Sequence, residues 1–336
     1  MIKECIKKVT SGGFVTADET SAVMDYIMEG QATPAQIAGL IIALKQRGET
    51  AEEVSGFVLS MRKHSIKIEL DNPMAIDGVG TGGDGAHTFN VSTASTIVAA
   101  AAGVTIAKHG NRSVSSKCGS ADLLEAAGGN IDPGPELVHT NINEIGFGFM
   151  FAPRFHPAMK YAAGPRKDLG VRTVFNILGP MTNPASVKRQ VTGVYSPEVM
   201  TLMAEVLEMT GSTHILVAHS RDGLDEFSVC APTDFIEINE GNRTENTITP
   251  EECGLKRYPV DALKGGNPQH NLTILNSVLQ GEKSPYRDAV LLNAGAIMYV
   301  GGKVDSISDG VAMSTKAIDN DSAKTLLDSW RSLSHS

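Results

Sequence analysis

Lys108, His109, Asn111, Arg112 and the serines at 113, 115, 116 and 120 fall within KHGNRSVSSKCGSADLLEAAGG, residues 108–129, a stretch with almost no apolar residue before Leu123. Glycine, serine and asparagine are turn formers, so residue type alone reads this as a surface loop. An ammonium, a guanidinium and a row of hydroxyls can also neutralise and hydrogen-bond an anion with many oxygens. The neighbouring segments decide between the two.

GVGTGGDG, residues 78–85, places five glycines in eight positions after a short apolar segment. Glycine lets the backbone approach a ligand and turn several N–H groups toward one phosphate. The spacing Gly78, Gly80, Gly83 mimics a dinucleotide fingerprint but lacks an acidic residue about twenty positions on, and no Gly-Lys-Ser/Thr ending makes it a Walker loop. Asn90, Ser92 and Thr93 in NVST then open a small-residue helix, whose first amides and dipole favour an anion. Lys108, Ser113, Ser115 and Ser116 follow the next expected strand, the end at which α/β sheets bind ligands. Ser120 is the expected cap of the helix ADLLEAA. Asp225 and Glu226 stand side by side in HSRDGLDEFS; such a pair is commonly a solvated turn, but with ligand oxygens it is a candidate arm for Mg²⁺. Two loops and two helix starts thus converge on one polyanion.

These groups need a scaffold, and 336 residues suggest two domains or one large and one small. Hydrophobic residues at 41% and charged residues at 20% give ample core and no sign of disorder. A net charge of −9 argues against a broad nucleic-acid face. The four cysteines, at 5, 118, 230 and 253, lack the paired spacing of zinc or disulfide frameworks and read as reduced thiols. The start MIKECIKKVT has no apolar run behind it, and no window reaches a membrane span, so a cytoplasmic protein is expected.

Three capping boxes, TADE at 16–19, TPAQ at 33–36 and TAEE at 50–53, predict three helices in the first seventy residues. Ile37, Leu40, Ile41 and Leu44 behind the second, and Val54, Phe57, Val58 and Met61 behind the third, recur at helical spacing. Gly30 and Gly48 stand where helices stop. From residue 74 the order becomes strand, loop, helix, strand, and HILVAHS, DAVLLNAGAIMYV and SAKTLLDSW continue the mixture. Residues 160 to 184, rich in cations, glycine and proline, are too punctuated for one long helix.

GTGGDG, NVST, KHGNRSVSSKCGSAD, FHPAMK, GVRTVFNILGPMTNP and DGLDE, in this order, resemble the anthranilate phosphoribosyltransferases of tryptophan biosynthesis over essentially the whole chain. That resemblance implies an α/β fold with a small all-helical domain (1–70 and 165–188) and a large α/β domain (71–164 and 189–336) with a mixed central sheet. The active site would lie at the hinge and the chain would form a homodimer. It implies transfer of the 5-phosphoribosyl group of phosphoribosyl pyrophosphate to the amino group of anthranilate. The matching donor positions are Gly80, Gly83, Asp84, Thr88, Asn90, Val91, Ser92, Thr93, Lys108, His109, Gly110, Asn111, Arg112, Ser113, Val114, Ser115, Ser116 and Ser120. Ser92, Asp225 and Glu226 match its magnesium ligands. Gly80, Asn111 and Arg166 match positions at anthranilate, and His109 and His156 match histidines near it; a guanidinium such as Arg166 suits a benzoate carboxylate.

Gly164 and Pro165 stand directly before Arg166 where many relatives carry other residues, and Ala127-Gly128 replaces a frequent leucine-glycine pair. No covalent nucleophile is expected, and His109 is expected as a wall and hydrogen-bonding residue. A nucleoside phosphorylase of the same fold is disfavoured by HGNRSVSS and the Asp225-Glu226 pair. A relative turned nucleic-acid binder is disfavoured by the acidic balance and the intact loops.

Overall fold

The computed structural model describes residues 1–113 and 116–336. It opens with helices α1 (Ile2–Thr10), α2 (Ala17–Met28), α3 (Pro34–Arg47) and α4 (Ala51–His64). Thr16, Thr33 and Thr50 each accept the amide three residues on, while Glu19, Gln36 and Glu53 reach back to the threonine N–H. Each box satisfies amides that a helix start leaves free. Glu53 also accepts the Val15 N–H at 2.9 Å and pairs with Arg47, which is how a fully buried carboxylate is tolerated here.

The chain continues through β1 (Ile76–Gly80), α5 (Val91–Ala101), β2 (Ile106–Gly110), α6 (Ser120–Ala126), α7 (Pro135–Ile145), β3 (Phe147–Phe151) and α8 (Ala152–Phe155). Helices α9 (Lys160–Leu169) and α10 (Phe175–Met181) follow, separated by Gly170 in the left-handed region at φ 61°. Residues 160 to 184 are therefore two helices. Pro165 lies inside α9 without ending it, and both helices pack on the opening bundle, α9 on α2 and α3, α10 on α4. Then come β4 (Arg189–Gly193), α11 (Pro197–Met209), β5 (His214–Ser220), β6 (Thr233–Asn239), β7 (Asn242–Ile248), α12 (Pro268–Leu279), α13 (Pro285–Val300), α14 (Ile307–Asp319) and α15 (Ser322–Leu333). No helix among the described residues is long and apolar enough to cross a membrane.

The strands form one mixed sheet in the order β3-β2-β1-β4-β5-β6-β7, parallel from β3 to β5 and antiparallel at β6 and β7. One face, with Ile76, Ile106, Val191 and Leu216, packs in a common core with α5, α13, α14 and α15. The opposite face carries Ile215, Val217, Ile236 and Ile238 into the core of the bundle by way of α11. The bundle therefore covers one side of the sheet. Strand order reverses between β1 and β4, because the chain runs outward through β2 and β3 before returning to β4. The crevice outside the C-terminal strand ends at such a reversal is where α/β sheets place ligands.

Candidate active site

β1 and β4 both end in glycine, Gly80 and Gly193, and the loop after β5 lies across them. A Cβ on Gly80 would come 2.5 Å from Asp225 Oδ2, and one on Gly193 would fall 1.6 Å from the Asp225 carbonyl. Both distances are far inside contact range, so only glycine at these two strand ends lets the acidic loop close over them. Asp225 then accepts the Gly82 N–H at 2.6 Å, and Glu226 accepts the Ser92 N–H at the start of α5 at 3.2 Å. The glycine loop, the helix start and the acidic pair thus meet in three dimensions.

Burial raises the Asp225 carboxyl well above the ordinary range, and the neighbouring Glu226 and Asp84 add to it. Glu226 is raised by burial as well, against the pull of Lys108 and the Ser92 amide. Asp84 accepts the Ala86 N–H at 3.1 Å through Oδ1, while its buried Oδ2 has no partner. Among the described residues no three or more His, Cys, Asp or Glu side chains form a ready metal cage. Two adjacent carboxylates that repel each other, with oxygens to spare, instead fit Mg²⁺, which commonly takes one or two protein carboxylates and completes its shell from water and ligand oxygens.

Lys108 differs from the expected open donor. It is 1% exposed, its Nζ donates to the Gly78 carbonyl at 2.7 Å, and Asp77 and Glu226 pull against the burial that lowers its pKa. Its place in β2 points it under the glycine loop, so its charge reaches the acidic pair from below. Arg112 is likewise engaged: its guanidinium bonds Glu125 at 2.7 and 2.9 Å and Asp122 at 3.0 Å. Ser120 is not the cap of α6. Gly119 holds that position, Asp122 takes the Gly119 N–H at 2.8 Å, and Ser120 donates to the Asn111 carbonyl at 3.1 Å. The physical reason is the longer reach of the aspartate, which also accepts the Ser113 N–H at 3.0 Å.

The remaining positions of the motif segments surround these groups. Asn90 starts α5 without a side-chain cap bond; its side-chain N–H donates to the Cys118 carbonyl at 3.0 Å and its Oδ1 accepts from Asn271 at 2.8 Å. Val91 is buried, and Thr93 is buried with an unpartnered hydroxyl. Thr88 forms an isolated bridge with Lys264. Gly110 admits Ser120 and the Phe149 ring, Asn111 is exposed, and Ser113 and Ser116 share a 2.6 Å hydroxyl contact. Val114 and Ser115 lie outside the described residues.

On the bundle side, His109 and His156 face each other with ring centroids 5.1 Å apart. Burial takes His109 down to about 3 and His156 to about 4, so both are neutral at physiological pH. His109 Nδ1 lies 3.2 Å from the Gly179 carbonyl, and the buried Nε2 of each ring has no partner. Arg166, in the last turn of α9, stacks its guanidinium 5.3 Å from the Phe175 ring centroid, one helical turn before Gly179. It is thereby brought to the same helix that touches His109.

Several residues here carry no motif. Asp77, fully buried in β1, accepts Asn183 at 2.7 Å and the His109 N–H at 3.3 Å; an acid inside an apolar strand segment was the available signal. Asn183 and Gln190 gave none, because their partners lie across the crossover. Arg172 donates to the Gly83 carbonyl, stacks 4.5 Å from the Tyr195 ring centroid, and has its own carbonyl held by Lys45 of α3.

A helical bundle on one side of a mixed sheet, with an acidic pair across its reversal point, is the two-part architecture of the glycosyl transferase family that the chain matches. Residues 3–65 match the glycosyl transferase family helical bundle domain and residues 72–324 its a/b domain. The anthranilate phosphoribosyltransferase of Thermomicrobium roseum is 48% identical over 100% of this chain and 97% of its own length. The crystal structure of the anthranilate phosphoribosyltransferase from Thermus thermophilus superimposes with a TM-score of 0.94 at 44% identity, over 99% of both chains. The Saccharomyces cerevisiae enzyme in complex with PRPP and Mg gives 0.91 at 26% identity, over 99% of this chain and 98% of that one. The chain belongs to the anthranilate phosphoribosyltransferase family.

Proposed function

We propose that this chain transfers the 5-phosphoribosyl group of phosphoribosyl pyrophosphate to the amino group of anthranilate, releasing pyrophosphate. The observation that carries the reading is the acidic pair closed over Gly80 and Gly193, beside the start of α5. Asp225 and Glu226, with Ser92 next to them, are the residues that would hold Mg²⁺, and the ion would neutralise charge on the departing pyrophosphate. The glycine-loop amides and the α5 N-terminus bind donor oxygens. Lys108 and Arg112 contribute from behind, one under the acidic pair and one by shaping the 111–122 loop. Arg166 pairs with the anthranilate carboxylate, and His109 and His156 line the place of its amine. The aryl amine already has its lone pair, and bond breaking at the anomeric carbon runs ahead of attack, so positioning and charge stabilisation supply the catalysis.

The functional units we assign are the bundle with 165–188 and the α/β part with the remainder; since α9 packs on α2 and α3 as one piece, the bundle share extends back to Lys160. A homodimer through the bundle is supported by Phe14, Ile42 and Leu59, which stand exposed there; a monomer by sedimentation at micromolar concentration refutes it. A cytoplasmic place follows from such an activity.

The test of function is anthranilate fluorescence on mixing with the protein, phosphoribosyl pyrophosphate and Mg²⁺. Loss of signal that requires all three and stops with EDTA is expected. An unchanged signal with folded protein and bound donor would overturn the acceptor, and absent donor binding would overturn the whole reading.

A further inference from the structure

An asparagine at the start of a helix ordinarily turns its side-chain oxygen onto the amide two or three residues on. Asn267 does this for α12, accepting the His270 N–H at 2.9 Å, and the threonines and serines that begin α2, α3, α4, α11, α13 and α14 do the same. Among the serine, threonine and asparagine residues that begin described helices, Asn90 alone makes no such bond.

Three hydrogen bonds in series hold its side chain elsewhere. The Cys118 carbonyl can only accept, so Asn90 presents Nδ2 to it at 3.0 Å. Asn90 Oδ1 then faces Asn271 Nδ2 at 2.8 Å, and Asn271 Oδ1 is left to accept the Gly266 N–H at 2.7 Å. With a backbone carbonyl at one end and a backbone N–H at the other, neither amide can turn over by itself without losing both of its bonds. Asn271 is 1% exposed and lies in the first turn of α12. The segment before it is anchored on the glycine-loop side: the Phe89 N–H donates to the Leu263 carbonyl and the Gly265 N–H to the His87 carbonyl, both at 2.9 Å. The Tyr286 hydroxyl adds a bond to the Lys264 carbonyl at 2.7 Å.

Withholding the cap leaves the first amides of α5 to other partners. Glu226 takes that of Ser92 at 3.2 Å. The Thr93 N–H, which a cap would use, has no acceptor among the described residues, and the buried Thr93 hydroxyl has no partner either. Two unspent donors on one residue, at a helix N-terminus beside the acidic pair, suit the oxygens of an anion. We propose that Asn271 is a positioning residue for the donor: by holding Asn90 off the start of α5 it keeps the Thr93 amide and hydroxyl open to pyrophosphate oxygens. This rests on the transferase reading for the identity of the anion, and on the geometry alone for the place of the Asn90 side chain.

Two measurements test it. A crystal structure of ligand-free Asn271→Leu should show Asn90 Oδ1 turned onto the Thr93 N–H; an Asn90 side chain still on the Cys118 carbonyl overturns the proposal whether or not the enzyme is active. Calorimetric titration with pyrophosphate and Mg²⁺ should show binding about fivefold weaker in Asn271→Leu than in wild type, the size of one cap bond that the anion must displace. KM for phosphoribosyl pyrophosphate should rise by the same factor and KM for anthranilate should not change. In an Asn90→Gly background, which has no side chain to cap with, Asn271→Leu should weaken pyrophosphate no further. An equal loss in both backgrounds is what a purely structural role gives, and it refutes the assignment. If Asn271→Leu does not fold, Asn271→Asp, which keeps the acceptor for Gly266 and loses the donor to Asn90, reads the same quantities at pH 8. Wild-type protein that binds pyrophosphate without turnover would overturn the anthranilate reading alone, whereas wild type that binds no pyrophosphate would overturn the donor reading and this proposal with it.

Discussion

The two polar regions of the crevice are finished to different degrees. At the end of α10 the Gly179, Pro180 and Met181 carbonyls accept from His109, Gln190 and Arg62, and burial keeps His109 and the neighbouring His156 neutral. Around Asp225 three carboxylates crowd together with Lys108 reaching only part of them, and the Asp84 Oδ2, Thr81 and Thr93 oxygens lack partners. Burying like charges is unfavourable unless something compensates. The contrast teaches that the acidic side buries like charges that the chain itself does not neutralise, while the histidine side is uncharged and leaves only the two ring Nε2 atoms without partners.

Removing one acid should separate the two regions most sharply. Asp225→Asn should cost about 4 kcal/mol of charge stabilisation, about a thousandfold in kcat/KM. The same change should raise the melting temperature of the metal-free protein, because a buried like charge is gone. Anthranilate binding, followed by its own fluorescence, should be unaffected. A variant that loses activity but melts no higher without Mg²⁺ would show that the acidic side is not frustrated, and the comparison would fail.

The same contrast explains what could be read from the chain. The acidic side was legible because glycine runs, adjacent acids and helix starts are local: Gly78 to Gly85, Asp225-Glu226 and Asn90 to Thr93 each carry their signal within a few positions. The capping boxes of α2, α3 and α4 were legible for the same reason. The α10 network was not, since Gln190 and Asn183 acquire their meaning only when β4 and the crossover fold back onto β1. Local reading also misjudged direction. Lys108 and Arg112 have the right charge for a polyanion, yet strand alternation turns the first beneath the loop and Asp122 with Glu125 captures the second. Ser120 looked like a cap because serine is common there, while the helix starts one residue earlier, at Gly119, whose N–H is taken by Asp122.

The histidine side can be examined through pH. Both rings are held neutral in the folded protein, with values near 3 and 4, but take up a proton near pH 6.5 once unfolded. Between pH 6.5 and about 4 the unfolded chain therefore binds more protons, and stability falls as pH falls. At pH 5 each ring should account for about 2 kcal/mol of that loss. Unfolding free energies from urea titrations at pH 7.5 and 5 should show a smaller drop in His156→Gln than in wild type, by about 2 kcal/mol. An equal drop in both would mean that the ring is charged or solvated when folded, and the neutral half of the comparison would be wrong.

The smallest effect is expected where the two regions are joined. Arg172 stands on the bundle side, between α9 and α10, yet its guanidinium donates to the Gly83 carbonyl of the donor loop and stacks on Tyr195 just after β4. Its own backbone is held by Lys45 of α3. An exposed guanidinium of this kind contributes about 1 kcal/mol or less, so Arg172→Ala should raise KM for phosphoribosyl pyrophosphate only about fivefold. The difference between wild type and variant should narrow as salt is raised, because screening weakens an exposed charge. Anthranilate KM should stay within error, since these contacts lead to the donor loop, Tyr195 and α3 rather than to His109, His156 or the end of α10. If anthranilate KM rises as much as the donor's, the glycine loop and the α10 network move together, and the acidic and histidine regions are one mechanical unit despite their opposite chemistry.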